Sequence, residues 1–268
     1  MKRESESIGW IGPRAAGLAD HGASPRLDPA RFGEKAARLA AAAALDLPVP
    51  PGFVLDAATA ADPRSASRAI DVGLARLEAA TGCRLGDPER PLLLAVRPSP
   101  APGAMGQGGS TGGGAVAPSV LNLGVCAATR AALAHRLGPR GAADLARRLA
   151  QGWGAGVAGL DGEEFEFALH DALRATGADC ETDLGAEALD RLAADCRRLA
   201  EGEGHPLPDA PRAQLDAAVA GLARAWRAPR AARRPHAPGG PQGGGRAGIG
   251  KGNGLGGYPA GGGTESGA

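Results

Sequence analysis

The chain has 268 residues, of which 60 are alanine and 44 glycine, and its formal net charge is +1. A near-neutral balance without a dense Lys/Arg block argues against a surface built to grip nucleic acid. No run of about 18 apolar residues is present to span a membrane, and with only 4 Phe, 3 Trp, 1 Tyr and 2 Met the core of a one- or two-domain fold must be packed largely on alanine.

Residues 1–30 mix Gly and Pro without an apolar signal region, so a poorly ordered N-terminus and a cytoplasmic protein are expected. Order begins near Phe32. Lys35 to Ala44 is a strong helix on propensity alone, and it must end by Leu47-Pro48 because Pro48, Pro50 and Pro51 cannot continue it. Gly52–Leu55 reads as a short strand. Residues 64–80 suit a helix with Ile70, Leu74 and Leu77 on one face.

Pro91–Arg97 contains the apolar run Leu92-Leu93-Leu94-Ala95-Val96, the pattern of a strand buried on both faces. The run stops at Arg97-Pro98, and a charged residue at a strand end commonly faces a site. A Gly-rich loop, 103–114, follows it. Its backbone N–H groups could cradle phosphate, but in a chain this rich in glycine a plain flexible insertion is the favoured reading.

From 127 onward the chain reads helical. Leu133 and Leu137 share a face, Gly138-Pro139 breaks the first helix, and Asp161 is placed to cap another with Glu164 as its capping-box partner. Phe165, Leu169 and Leu173 stripe that helix. Leu189, Leu192, Cys196 and Leu199 stripe the next, and Leu215, Val219, Leu222 and Trp226 the last. Half the residues from Gly239 to Ala268 are glycine, so 229–268 is expected to be a disordered tail.

Candidate chemistry is sparse. Cysteines 83, 126, 180 and 196 form no C-x-x-C and no zinc spacing, which predicts partly buried free thiols. The five histidines sit in no nucleophile pattern, and Glu163, Glu164 and Glu166 read as dipole-favouring carboxylates at a helix start. Gly245–Lys251 fits G-x-x-x-x-G-K, but it lacks the following Ser or Thr and the flanking strand and helix; the G-x-G-x-x-G at Gly252 fails likewise. The lysines carry more. Against 27 arginines there are only Lys2, Lys35 and Lys251, and Lys35 alone falls in the expected folded body.

Three stretches together bring a family into view. Gly33-Glu34-Lys35-Ala36-Ala37-Arg38-Leu39 followed by Leu45-Asp46-Leu47-Pro48-Val49-Pro50-Pro51-Gly52-Phe53, then Pro91–Arg97, then Val120-Leu121-Asn122-Leu123-Gly124 resemble the opening of pyruvate phosphate dikinases and the related phosphoenolpyruvate synthases. Glu164–Leu169, Asp183-Leu184, Pro208–Leu215 and Trp226–Ala228 resemble the dikinase branch's helical insertion, in order. The resemblance covers about 32–232.

It implies a helix-rich α/β (α+β) chain: a partial ATP-grasp nucleotide-binding subdomain over 31–126, a helical insertion over 127–228 and the Gly-rich tail. It also implies that Lys35 and Arg97 contact ATP phosphates, with a compact ammonium and a planar guanidinium fork as donors. The loop departs from the family pattern, since Arg97 is followed by Pro98-Ser99-Pro100 rather than S-G-A. The family's Mg²⁺ ligands, phosphohistidine domain and pyruvate-binding barrel would lie beyond 232, where this sequence has its tail. Two functions are therefore expected: the ATP-binding N-terminal portion of a dikinase-like phosphotransferase, not catalytically complete alone, or a truncated or degenerate non-catalytic homologue serving as a helical interaction module or relic; a third reading is a subunit completed by a separately encoded remainder of the enzyme.

Overall fold

The computed structural model describes residues 7–12, 26–99 and 118–227. Of these, 63% are helical. The strands form three two-stranded sheets, so the helix-rich α+β expectation holds at the level of class.

The first element was not legible in the sequence. Strand β1, Ile8–Ile11, lies within the stretch expected to lack order, and it pairs antiparallel with β2, Gly52–Leu55, matching Trp10 to Phe53. Gly9 lacks the Cβ that would sit 2.6 Å from a Leu27 methyl, so Leu27 closes over the strand. Helix α1, Pro29–Phe32, is capped by Asp28, whose carboxylate accepts the Ala30 N–H at 2.9 Å. Helix α2, Glu34–Ala44, follows after one residue. Its buried face is Ala36, Ala40 and Ala43, of which Ala36 and Ala40 pack with Ile11, Leu27 and Phe32. It ends three residues before Leu47, where Asp46 turns into the left-handed region at φ 56°.

Asp56 caps the short α3, Ala57–Ala61, and Asp62 caps α4, Pro63–Thr81, which ends on Gly82 at φ 64°. Gly73 lets α4 lie against β2, because a Cβ there would meet the Phe53 ring at 2.5 Å. The expected stripe is present: Ile70 and Leu77 are buried and Leu74 is half-buried.

The run after Pro91 is not one strand buried on both faces. It divides into β4, Pro91–Leu92, parallel to β3, Arg84–Leu85, and β5, Leu94–Val96, antiparallel to β6, Val120–Leu123. Only Pro91 and Leu92 are buried; Ala95 is exposed. The register shifts between Leu94 and Val96, opposite Asn122 at φ 61°, and this irregularity prevents a continuous ladder.

The main core lies among the last four long helices. Helix α5, Arg130–Trp153, kinks at Gly138 (φ 77°) where the sequence places the break; Leu133 is buried before it, whereas Leu137 is 56% exposed. A π-helical turn, Gly154–Ala158, leads to α6, Gly162–Thr176, then to a 3₁₀ turn, Glu181–Asp183, α7, Ala186–Gly202, and α8, Pro211–Arg227. Asp161 does cap α6, but it accepts from Glu163 at 3.2 Å, and no reciprocal Glu164 bond closes the capping box.

Alanines 142, 143, 146 and 150 of α5 and 188, 193 and 200 of α7 are buried in the same core as Trp153, Leu149, Leu189 and Leu192. Short side chains let these two helices approach closely, which is how an alanine-rich sequence fills its interior. Val120 and Leu123 of β6 and Ile70 of α4 enter the same core. Among the described residues no helix is long and apolar enough to cross a membrane. The expected disordered tail and the 103–114 loop lie outside the described residues.

One charged group is buried here. Arg147 of α5 is 5% exposed and donates to Asp144, Gln151 and Glu181. Burial pushes the Asp144 carboxyl upward, but bonds from Arg147 and Arg148 outweigh it and hold the group below its ordinary value. A lowered folded pKa gives stability that is present above the unfolded pKa and lost as pH falls through the folded one. Asp144→Asn is therefore expected to cost about 2 kcal/mol at pH 7, with a smaller deficit at pH 3, measured by urea unfolding at both pH values.

Candidate functional site

Two segments far apart in sequence meet at the N-terminus of α2. Gly33 joins α1 to α2 at φ 82° and ψ 157°, a conformation open to glycine. It also has no room for a side chain: a Cβ would lie 1.9 Å from the Ser99 carbonyl oxygen. Gly33 offers no capping side chain of its own. The cap comes from the other segment, where Ser99 Oγ accepts the Ala36 N–H at 3.0 Å.

The partial positive charge of the 11-residue helix gathers at this end. Lys35, the second residue of α2, is exposed. The neighbouring carboxylate, Glu34, is turned along the helix to Arg38. Arg97 leaves β5 two residues before Ser99 and is also exposed. Among the described residues neither Lys35 nor Arg97 forms an ion pair. The backbone thus brings the two sequence-predicted cations to one end of one helix.

The Arg97 side of this arrangement rests on β6. Val96 pairs with Val120, which is fully buried, as is Leu123. The turn after β6 is held by Gln214 of α8, itself 0% exposed. Its amide oxygen accepts the Gly124 N–H at 2.9 Å, and its amide nitrogen donates to the carbonyls of Val125 at 3.1 Å and Pro208 at 2.9 Å. The Asn122 amide donates to the Leu145 carbonyl at 3.3 Å, tying β6 to α5.

A helix N-terminus with a lysine in its first turn and an arginine in the segment docked against it suits a polyanion, phosphate above all. Sequence reasoning named Lys35 and Arg97 but missed Gly33, Ser99 and Gln214 as the parts that fix them. Gly33 stood inside a motif and could have been asked why it must be glycine. Ser99 carried no signal, because its partner is 63 positions away.

The other candidates come to less. Lys2, Lys251, the Gly-rich loop and both tail motifs lie outside the described residues. Among the described residues no group of three or more His, Cys, Asp or Glu side chains converges as a metal site requires. Cys126 and Cys196 are buried free thiols, Cys83 is half-buried and Cys180 exposed; burial pushes the Cys196 thiol up to about 11, which keeps it protonated and unreactive. A cleft of about 50 Å³ beside Cys196, bordered by Arg147, Gln151 and Phe165, has room for water only.

The described fold and site therefore define a helix-rich α+β chain with a cationic helix end. No family model matches the sequence. Over the greater part of its length the chain is a homologue of the pyruvate, phosphate dikinases. It is 35% identical to pyruvate, phosphate dikinase 2 of Zea mays over 75% of this chain and 23% of that protein. It is 34% identical to pyruvate, phosphate dikinase of Rhizobium meliloti (strain 1021) over 89% of this chain and 26% of that protein. A chloroplastic pyruvate, phosphate dikinase 1 of Oryza sativa subsp. japonica is 34% identical over 75% of this chain and 21% of that protein. The chain thus spans about a quarter of the length of the curated relatives it matches.

Proposed function

We propose that the chain is the ATP-binding portion of a pyruvate phosphate dikinase-like phosphotransferase, with Lys35 and Arg97 holding ATP phosphates at the N-terminus of α2. In this reading residues 31–126 are the nucleotide-binding subdomain, of ATP-grasp type, and 127–228 the helical insertion. The observation that carries it is the docking of Ser99 and its carbonyl onto Gly33 and Ala36, which joins the Arg97 segment to the Lys35 helix. Homology to dikinases over most of the chain supports the same assignment.

The chemistry available to these residues is binding and orientation. Lys35 would neutralise phosphate oxygens as a point charge, and Arg97 would clamp two of them. Mg²⁺, which neutralises phosphate charge in phosphoryl transfer, finds no fitting carboxylate group among the described residues, so no step through it is assigned to them. Phosphoryl transfer to pyruvate would then fall to parts of the enzyme other than the described residues. Cytoplasmic residence fits the free thiols, which a reducing compartment preserves.

Calorimetric titration with ATP tests the reading. Binding is expected, weakened about tenfold by Lys35→Ala and competed by tripolyphosphate. Absence of binding at millimolar ATP, or an unchanged affinity in Lys35→Ala, would remove it in favour of the non-catalytic homologue.

A further inference from the structure

The proposed phosphate site has an unusual cap. A helix is ordinarily capped by the residue at its own N-cap position. Here that residue is Gly33, and the acceptor for the third N–H of α2 is supplied by Ser99, 63 positions away. A serine at position 33 has no room beside Ser99, and a local cap would not hold Arg97. Because Ser99 is the acceptor, the bond that caps α2 is also the bond that sets the position of the segment after β5.

One further contact and one backbone restraint make the placement specific. The Ser99 carbonyl lies against the bare Cα of Gly33, so hydroxyl and carbonyl together fix both the height and the direction of the segment. Pro98 stands between Ser99 and Arg97, with its φ fixed near −65° and the residue before it biased to extended backbone. Two residues of chain span at most about 7 Å, so Arg97 stays at the end of α2 that carries Lys35. The cap takes the Ala36 N–H, and among the described residues the Glu34 and Lys35 N–H groups meet no acceptor.

We propose that Ser99 is a positioning residue of this site: by capping α2 from the Arg97 segment it couples the two cations into one phosphate clamp. The proposal rests on the ATP-binding reading above, and its consequence is energetic coupling between Ser99 and Arg97.

The test is titration of the whole chain and of Ser99→Ala, Ser99→Thr, Arg97→Ala and the Ser99→Ala/Arg97→Ala pair with ATP and with adenosine, alongside thermal unfolding. Ser99→Ala is expected to weaken ATP about tenfold while leaving adenosine unmoved. Ser99→Thr, which keeps the hydroxyl, should remain within about threefold of the parent. In the Arg97→Ala background the Ser99 change should have little further effect on ATP, because its role runs through Arg97. A Ser99→Ala protein that loses melting temperature but binds ATP normally would reduce Ser99 to a structural cap. So would losses from the two substitutions that simply add. A parent chain that binds no ATP would overturn the ATP-binding reading itself, and this proposal with it.

Discussion

Gly33→Ala is expected to be the most damaging single-methyl change among the described glycines. The backbone sits at φ 82° and ψ 157°, a region essentially reserved for glycine, where an L side chain costs on the order of 1–3 kcal/mol. The added Cβ would also lie 1.9 Å from the Ser99 carbonyl and 2.4 Å from its carbon and hydroxyl oxygen. These are mostly backbone atoms and cannot swing away, so the segment carrying Arg97 must lift off α2. We expect a loss of about 3 kcal/mol in urea unfolding and a fall in ATP affinity of at least about tenfold. Gly162→Ala is the control. Nothing lies within 4 Å of its Cβ and the position is helical, so stability should be unchanged or slightly raised. Equal behaviour of the two variants would contradict the described apposition.

The second large effect is expected at Gln214. Its side chain meets one N–H and two carbonyls in a site with no access to water. Gln214→Leu strands all three partners and should cost about 3 kcal/mol or more. Gln214→Glu adds a sign that can be checked. A carboxylate facing the Val125 and Pro208 carbonyls is disfavoured by burial and by repulsion, so its folded pKa must rise above the unfolded value. A raised acid pKa destabilises the fold at higher pH, and the deficit shrinks as pH falls through the folded pKa and the acid regains a proton to donate. The Gln214→Glu deficit in urea unfolding should therefore be larger at pH 7 than at pH 5. Gln214→Leu should show no such dependence. A pH-independent deficit in Gln214→Glu would show that its carboxylate escapes to solvent.

These two residues also mark where the sequence stops being legible. Helices α2, α4, α7 and α8 could be read because their signals are local: an alanine run, apolar residues at helical spacing, Pro and Gly at the ends. The break at Gly138-Pro139 was legible for the same reason. Strand β1 was not, since its four residues gain order only by pairing with β2 more than 40 positions away. The Leu92–Val96 run looked like a single buried strand because periodicity cannot show that its two halves pair with different partners, β3 on one side and β6 on the other.

The site divides along the same line. Lys35 stood out by its rarity among arginines, and Arg97 by its place at the end of an apolar run. What holds them together did not stand out. Ser99 reaches Ala36 across 63 positions, and Gln214 reaches Gly124 across 90. Such contacts depend on the fold as a whole, so a glycine with no tolerance for a Cβ and a glutamine with every amide atom satisfied can be recognised only after folding.

In the proposed site ATP phosphates sit on the N-terminus of α2, between Lys35 and Arg97. The most direct measurement is the backbone amide spectrum of the isotopically labelled chain during titration with ATP and, separately, with adenosine. ATP is expected to shift the amides of Gly33, Glu34 and Lys35 with one saturating affinity, tripolyphosphate to shift the same amides, and adenosine to leave them unmoved. ATP shifts confined to other parts of the chain, with the α2 amides unmoved, would contradict that placement.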